Sequence, residues 1–211
     1  MMRTMLAALM LLLSANVMAA PQLGEEFRQT AQTIPTDNAG KIEVMEIFWY
    51  GCPHCHQLEP QLAAWVKNLP QDVYFKRVPG LPQPAWAPMA KAYYAMEALG
   101  VLEKLHPKLF DAVHKQRALR PDDEAAVIAW ITKEGGFDRK KVEAAFNSFS
   151  NNTKLMKAGQ IFRASGATGV PSLVIDGKYV TSSTMAGGNQ QVLQVADYII
   201  ENVRKDKTAK K

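Results

Sequence analysis

The two cysteines of this 211-residue chain are Cys52 and Cys55, three positions apart in the stretch YGCPHCH. A Cys-x-x-Cys pair is typical of thiol-disulfide exchange, in which a thiolate attacks a disulfide sulfur. With the histidine that follows, Cys-x-x-Cys-His is also the attachment motif of c-type haem. The pentapeptide by itself leaves both chemistries open.

The sequence around the cysteines predicts a strand before them and a helix after them. Lys41 to Tyr50 is rich in β-branched and aromatic residues, as expected of a buried strand. Pro53 suits the first position of a helix, and Pro60 should kink that helix farther along. Asp72 to Val78 predicts a second strand, which completes a βαβ unit. This setting favours thiol chemistry over a haem pocket.

A cysteine at a helix N-terminus is electrostatically suited to act as a thiolate. Free backbone N–H groups and the helix dipole favour negative charge there, and His54 can add positive charge or a hydrogen bond. Pro53 fixes the turn. We therefore expect Cys52 to be the exposed nucleophile and Cys55, one turn into the helix, to be the buried resolving thiol. A protein that stabilises this thiolate stabilises its own reduced form, which makes its disulfide a stronger oxidant.

The rest of the chain predicts a block of helices followed by a hairpin and a last helix. The helices are expected at Trp86 to Leu99, Val101 to Gln116, Pro121 to Glu134, Asp138 to Phe149 and Asn151 to Ala164. Pro107 could bend or divide the second of them. Asp176-Gly177 between two β-prone runs predicts a hairpin, and helical spacing continues from 190 to 203. This order predicts an α/β protein whose sheet is interrupted by an inserted helical domain.

The two ends of the chain bear on its location. Residues 1–19 carry Arg3, an acid-free apolar run and a terminal Ala19, which predicts a secretory signal peptide cleaved after Ala19. Outside the cytosol a disulfide can persist, although a bridge closing so small a loop is a weak structural staple. The basic end, RKDKTAKK, predicts a frayed, solvated tail. A formal net charge of +5 is mild, and we expect no nucleic-acid partner.

Several features taken together resemble the DsbA family of periplasmic thiol-disulfide oxidoreductases. They are CPHC after a strand, Pro60 behind it, the inserted helices, and TGVPSLVIDGKY before and within the hairpin. The resemblance covers essentially the whole mature chain. It implies a thioredoxin-like fold with an inserted all-helical domain. The expected boundaries are 20–82 and 166–205 for the thioredoxin-like part, 83–165 for the insertion and 206–211 for the basic tail.

The resemblance also implies roles for residues of the site. Cys52 is the implied nucleophile, Cys55 the resolving cysteine, and Pro53-His54 the dipeptide that tunes them. Pro171 is the implied cis-proline, and Val170 would offer its backbone to an extended client peptide.

A carboxylate inside the predicted first strand is a further candidate. Glu46 matches a buried acidic residue of the family that assists proton transfer from the resolving thiol. The alternative is that Glu46 faces solvent on an edge strand. A carboxylate amid VMEIFWY is costly to bury without a task, and Lys76 is a candidate partner for it.

The function implied is donation of the Cys52–Cys55 disulfide to reduced cysteines of newly translocated proteins. Re-oxidation would come from a DsbB-like membrane quinone oxidoreductase, with no cofactor beyond the redox-active disulfide, no metal and a monomeric protein. Three alternatives stay open: a reductase or isomerase of the same fold, a c-type haem protein, and a chaperone module that uses the groove around Pro171.

The remaining histidines have simpler expected roles. His56 completes the haem motif, and we expect it on the helix surface, either tuning the thiolate modestly or as a bystander. His106 and His114, eight residues apart, are expected on a helix surface and not at a metal site. Zinc binding by the cysteines and their neighbouring histidines is disfavoured, because adjacent positions of one helical turn cannot all converge on a tetrahedral ion.

Overall fold

A five-stranded mixed sheet forms the centre of the protein in the computed structural model, which describes residues 20–209. The strands are β1 (Arg28–Gln29), β2 (Ile42–Phe48), β3 (Val73–Pro79), β4 (Ser172–Ile175) and β5 (Tyr179–Ser182), in the spatial order β1-β5-β4-β2-β3. β2 lies between β3, to which it is parallel, and β4, to which it is antiparallel. The signal peptide predicted for residues 1–19 lies outside the described residues.

The helices follow the predicted order, except for the short helix Ser183–Ala186, which the sequence did not predict. They are α1 (Pro53–Val66), α2 (Ala87–Ala98), α3 (Leu102–His114), α4 (Glu124–Gly135), α5 (Arg139–Phe146), α6 (Phe149–Ser165), α7 (Ser183–Ala186) and α8 (Asn189–Ala209). Helix α1 continues through Pro60, and α3 continues through Pro107 without dividing. Helices α2 to α6 all lie between β3 and β4 in the chain, as expected for a sheet with a helical insertion.

The hairpin forms where Asp176-Gly177 predicted it. Both residues have positive φ, 52° and 65°, and the Lys178 N–H donates to the Ile175 carbonyl at 3.0 Å. Two consecutive positive φ values suit the tight turns that match the strand twist. A Cβ on Gly177 would lie 1.9 Å from the Ile34 carbonyl oxygen, so only glycine fits. The short edge strand β1, which pairs with β5, carries no strong sequence signal and was not predicted.

The sheet is covered on both faces, so the protein has two apolar cores. On one face Val44, Ile175 and their neighbours pack against α1 and α8, through Leu58, Leu62 and the apolar stripe of α8. On the other face Met45 and Ile47 pack against the inserted helices. Alternate residues of β2 point to opposite faces of the sheet, and burial on both explains why the strand is apolar nearly throughout.

The C-terminal basic segment differs from its prediction. Helix α8 continues to Ala209, so residues 204–209 are helical and not a frayed tail. Arg204 Nε donates to Asp72 Oδ2 at 2.6 Å, and Lys207 Nζ lies 2.7 Å from the buried Asp176 carboxylate. These ion pairs with distant carboxylates hold the segment, and its composition alone could not reveal them. No helix among residues 20–209 is long and apolar enough to cross a membrane.

Phe48 joins the sheet to the inserted helices, and truncating it should destabilise the protein. Its ring is fully buried, with centroids 5.1 Å from Tyr50, 5.5 Å from Tyr93 and 5.9 Å from Phe110. We expect Phe48→Ala to lower the free energy of unfolding in urea by about 3 to 5 kcal/mol, because it leaves a cavity. Phe149→Ala, at an 87% exposed ring, should change it by less than about 0.5 kcal/mol. Equal effects of the two substitutions would contradict this packing.

Candidate active site

The two cysteines lie where strand β2 gives way to helix α1. Cys52 is the N-cap residue of α1, Pro53 is its first residue, and Cys55 lies one turn in. Both side chains are free thiols. Cys55 is fully buried, and only 9% of Cys52 is exposed, so Cys52 is less open to solvent than predicted. The bend at Val170 lies against it, since the Cys52 Sγ donates to the Val170 carbonyl at 3.4 Å.

Close packing before the cysteines explains Gly51. A Cβ at Gly51 would lie 2.5 Å from the Trp49 ring, so a larger residue would displace the indole. That indole stacks on Trp86 from the start of the helical insertion, with centroids 4.1 Å apart and planes at 5°. The Cys52 N–H donates to the Trp49 carbonyl at 3.0 Å, which closes the turn into α1. The turn that presents Cys52 is therefore supported from both parts of the fold.

The electrostatic environment separates the two thiols. A hydrogen bond from the Cys55 thiol is the largest cause that lowers the pKa of Cys52 to about 6, against an opposing effect of burial. Backbone N–H groups of Cys55 and His54 and the charge of His54 lower it further, which is the effect expected at a helix N-terminus. Burial raises the pKa of Cys55 well above its usual range, and the charges of Cys52 and Glu46 add to the effect. One thiol is therefore acidic and its neighbour is not.

This separation has a measurable pH dependence. We expect the Cys52 thiolate of the reduced protein to titrate with a midpoint near pH 6, seen as ultraviolet thiolate absorbance that disappears in Cys52→Ser. Because the folded pKa lies below the unfolded one, the resulting stabilisation of the reduced protein is complete above pH 9 and is lost as the pH falls to 6. A midpoint near the ordinary value of 9 would contradict the geometry.

A surface groove opens beside the cysteine pair. It has a volume of about 520 Å³ and is lined by His54, Val170 and Pro171, together with the segment from Ser182 to Asn189. The Val170–Pro171 peptide bond is cis, as the resemblance implied. His54 is exposed at the rim of this groove. The three residues predicted to surround Cys52 are therefore brought together.

Glu46 is fully buried on the central strand β2, so the alternative of a solvent-facing edge position is wrong. Arg77, its register partner on β3, donates from Nε to Glu46 Oε2 at 3.0 Å. Burial raises the pKa of Glu46 to about 8, with Arg77 opposing the rise. Burial therefore favours the protonated, neutral form of the Glu46 carboxyl.

The prediction that Lys76 pairs with Glu46 is wrong. Lys76 Nζ lies 2.7 Å from Asp37 and 2.8 Å from Glu43. Adjacent residues of a strand point to opposite faces, and the parallel register places Arg77 opposite Glu46. Arg77 also donates to Glu59 Oε1 of α1 at 2.8 Å, so a second buried carboxylate belongs to this cluster. Neither Arg77 nor Glu59 is among the site residues predicted from the sequence, because only the pairing register of β2 and β3 places Arg77 opposite Glu46.

The histidines differ from their prediction in part. His56 is half-buried, its Nε2 lies 3.1 Å from Asp111 Oδ1, and its ring stacks on His114 at 5.0 Å. His114 Nε2 donates to the Tyr50 carbonyl at 2.8 Å. His106 is only 4% exposed, so its expected surface position is wrong. No cluster of three or more His, Cys, Asp or Glu residues within 20–209 is placed to hold a metal ion.

Comparison with known proteins gives consistent relatives. The family described as DSBA-like thioredoxin domain matches residues 81–200, a span that begins after both cysteines. The thiol:disulfide interchange protein DsbA of Azotobacter vinelandii is 39% identical over 185 residues, which cover 87% of this chain and 85% of that protein. Its counterpart from Pseudomonas aeruginosa is 37% identical over 183 residues, with coverages of 86% and 85%. The crystal structure of Pseudomonas aeruginosa DsbA superposes with a TM-score of 0.81 at 36% identity, covering 90% and 97% of the two chains.

The sheet, the inserted helices and the cysteine pair at the start of α1 define a thioredoxin-like thiol-disulfide oxidoreductase. The predicted fold class is confirmed. The chain belongs to the DsbA family.

Proposed function

We propose that this protein is an oxidase that donates a Cys52–Cys55 disulfide to reduced cysteines of newly translocated proteins. The observation that carries the proposal is the contrast between the two thiols. Cys52, at the start of α1, has a pKa lowered to about 6, whereas burial raises that of Cys55. A stabilised Cys52 thiolate favours the reduced protein, and with it the transfer of the disulfide to the client.

The transfer proceeds in two exchanges. A client thiolate attacks the Cys52 sulfur, a client–Cys52 disulfide forms, and the Cys52–Cys55 bond breaks to leave a thiolate on Cys55. The second client thiolate then attacks the client sulfur of this mixed disulfide. The client disulfide forms and Cys52 leaves as a thiolate, which its low pKa favours. Two electrons pass from the client dithiol to the protein.

Glu46 is the proton donor and acceptor for Cys55 during this exchange. The buried Cys55 thiolate is costly, because the pKa of its thiol is raised by burial and by the charge of Glu46. A protonated Glu46, whose pKa is about 8, supplies a proton when Cys55 leaves and takes it back on re-oxidation. Arg77 keeps the carboxylate that forms paired within the core.

The client lies across the groove beside the cysteines. Val170 offers its backbone to an extended peptide by strand addition, and Pro171 places that backbone against Cys52. The Cys52 thiol donates to the Val170 carbonyl in the reduced protein. Cys52 carries no hydrogen in the oxidised protein, so that carbonyl can accept from the backbone of the client. His54 at the rim contributes positive charge to the reacting sulfur.

We further propose that the protein is a monomer and that it acts in the periplasm. A DsbB-like membrane quinone oxidoreductase restores its disulfide there. The quinone is the oxidant of that step, and the cysteine pair is the only redox group that this protein needs. A low pKa of the first cysteine and an oxidising reduction potential of the cysteine pair are known properties of the DsbA family. The proposal is that this protein shares both.

A transfer experiment tests the proposal. Oxidised protein is mixed with an equimolar reduced peptide that carries two cysteines and contains no other thiol. We expect one peptide disulfide per protein molecule, with Cys52 then reactive towards an alkylating reagent. The same peptide with both cysteines replaced by serine should leave the protein oxidised. A peptide that stays reduced in the presence of the oxidised protein would overturn the proposal.

A further inference from the structure

A chain of buried polar groups leads from Glu46 through helix α1 into the inserted helices. Arg77, which holds Glu46, also holds Glu59 Oε1 of α1 at 2.8 Å. The other oxygen of Glu59, Oε2, lies 3.4 Å from Nε2 of His106 on α3. On the far side of that ring, Nδ1 lies 2.6 Å from the hydroxyl of Tyr50, two residues before Cys52. The chain therefore starts and ends beside the cysteine motif.

The buried cluster of Glu46, Glu59 and Arg77 has an excess negative charge when both carboxyls are ionised. Glu46 and Glu59 share the single guanidinium of Arg77 in a buried setting. Two carboxylates against one cation leave an excess negative charge, which low-dielectric surroundings penalise. A single proton shared by the two carboxyls removes that excess. The position of this proton then matters, because Glu46 acts on the pKa of Cys55.

The contacts of His106 define which of its nitrogens carries a proton. Burial raises the pKa of Tyr50 well above its usual range, so its hydroxyl keeps its hydrogen. Nδ1 is the one hydrogen-bond contact of this buried hydroxyl among residues 20–209, so we assign the hydroxyl as the donor and Nδ1 as the acceptor. Burial also lowers the pKa of His106, which favours the neutral ring. A neutral ring that accepts at Nδ1 carries its proton on Nε2, the atom that faces Glu59. Among residues 20–209 Glu59 Oε2 and His106 Nε2 make no hydrogen bond of normal geometry, and the two atoms face each other across 3.4 Å.

We propose that His106 is a positioning residue that keeps the shared proton on Glu46, beside the cysteines, by presenting an N–H to the Glu59 carboxylate. The carboxyl that faces this N–H stays ionised, and the one without it takes the proton. The two arrangements differ only in which carboxyl, that of Glu46 or that of Glu59, carries the shared proton. This inference deepens the proposed function. The role of Glu46 in the thiol exchange rests on that function, whereas the location of the shared proton does not.

The pKa directions agree with this arrangement. Burial acts to raise the pKa of Glu59, but the facing His106 N–H and the charge of Arg77 outweigh it and hold the pKa below its usual range. The pKa of Glu46, which lacks contact with His106, is instead raised to about 8. The titratable and charged groups facing the cluster from the packed elements are Tyr50, Cys52, Cys55, Arg77, Tyr93, Glu97 and Glu103.

The aromatic surroundings of His106 offer a variant that removes the N–H but keeps a ring. Phe48 and Phe110 flank the imidazole, with centroids 5.3 Å and 5.2 Å from it. His106→Phe therefore keeps an aromatic ring at this position while removing the nitrogens that face the Tyr50 hydroxyl and Glu59. Without the donor, Glu59 should take the proton, and Glu46 should ionise beside Arg77.

The test follows the carboxyl carbons of isotope-labelled glutamate by NMR in the reduced protein, with Glu46→Gln and Glu59→Gln to assign the signals. In His106→Phe we expect the titration midpoint of Glu46 to fall by about one pH unit and that of Glu59 to rise. His106→Gln keeps an N–H donor and should retain the wild-type order of the two midpoints. The Cys52 thiolate midpoint should rise in His106→Phe, because an ionised Glu46 disfavours a second negative charge nearby.

Two further variants keep the test decisive. Tyr50→Phe removes the hydroxyl that fixes the tautomer while retaining the ring, and it should lower the Glu46 midpoint by a smaller amount. His114, on the same helix, hydrogen-bonds to the Tyr50 carbonyl and stacks on His56 and Phe110, but it makes no hydrogen bond to either carboxyl. His114→Gln should therefore leave both carboxyl midpoints unchanged. Unchanged Glu46 midpoints in both His106→Phe and Tyr50→Phe would overturn the proposal. Such a result would leave peptide oxidation by the wild-type protein intact, whereas failure of the proposed function would appear in that transfer assay alone.

Discussion

Cys52→Ser is expected to lose disulfide transfer to a reduced two-cysteine peptide by on the order of 10³-fold or more. A serine oxygen cannot form the sulfur–sulfur bond that carries the client, and the remaining Cys55 is fully buried. The residual rate should equal background oxidation of the peptide by the buffer. Thiol consumption and mass spectrometry of the peptide measure the effect.

The change from sulfur to oxygen is small, so the fold should survive it. The matched control is Cys55→Ser, which makes the same atomic change three residues away. Far-ultraviolet circular dichroism and the urea midpoint of both variants should match reduced wild type after allowance for the thiolate of Cys52. Wild-type transfer by folded Cys52→Ser would show that Cys52 is not the sulfur that the client thiolate attacks.

Cys55→Ser is expected to accumulate a mixed disulfide between Cys52 and a client. In the wild type, the Cys55 thiolate returns to the Cys52 sulfur and releases a client that has no second cysteine. Serine at 55 removes this escape, while Cys52 keeps its position at the start of α1. A Cys52 first activated as a mixed disulfide with a small aromatic thiol should therefore capture a single-cysteine peptide and keep it, at about one peptide per protein.

Release distinguishes a trapped intermediate from an unreactive product. A two-cysteine peptide should leave Cys55→Ser as its own disulfide, because its second thiol attacks the mixed bond. The oxidised wild-type protein should hold the single-cysteine peptide only transiently. Rapid release of the single-cysteine peptide from Cys55→Ser would contradict the assignment of Cys55 as the resolving thiol.

The local parts of the site could be predicted from the sequence. The strand before the cysteines, the helix that begins at Pro53 and the hairpin at Asp176-Gly177 depend on short-range signals: β-branched runs, a proline at the first helical position and a turn that needs positive φ. Their order along the chain was sufficient to predict an inserted helical block. The contact between Val170 and Cys52 joins segments far apart in sequence, and it was expected only through the family resemblance.

The electrostatic partners depend on packing that a single sequence does not contain. Lys76 and Arg77 are adjacent cations, and only the register of β3 against β2 selects Arg77 for Glu46. His106 resembles a surface residue in its sequence context, yet it lies in an aromatic cluster that three separate elements assemble. In the sequence, Arg204 and Lys207 belong to a basic segment that is typical of a solvated tail. In the folded protein they form ion pairs with Asp72, next to β3, and with Asp176 of the hairpin. Each of these differences comes from long-range contacts.

The reduction potential of the Cys52–Cys55 pair tests the direction of electron flow most directly. The protein is equilibrated with glutathione buffers of known composition, and the reduced fraction is read by alkylation of Cys52. An oxidase with a stabilised Cys52 thiolate should be half reduced in a glutathione buffer whose potential is well above that of thioredoxin. The potential should vary with pH less steeply above the Cys52 midpoint near 6 than below it, because the reduced protein binds one proton fewer above that midpoint. A potential near that of thioredoxin, about −270 mV, would contradict the account and favour a reductase.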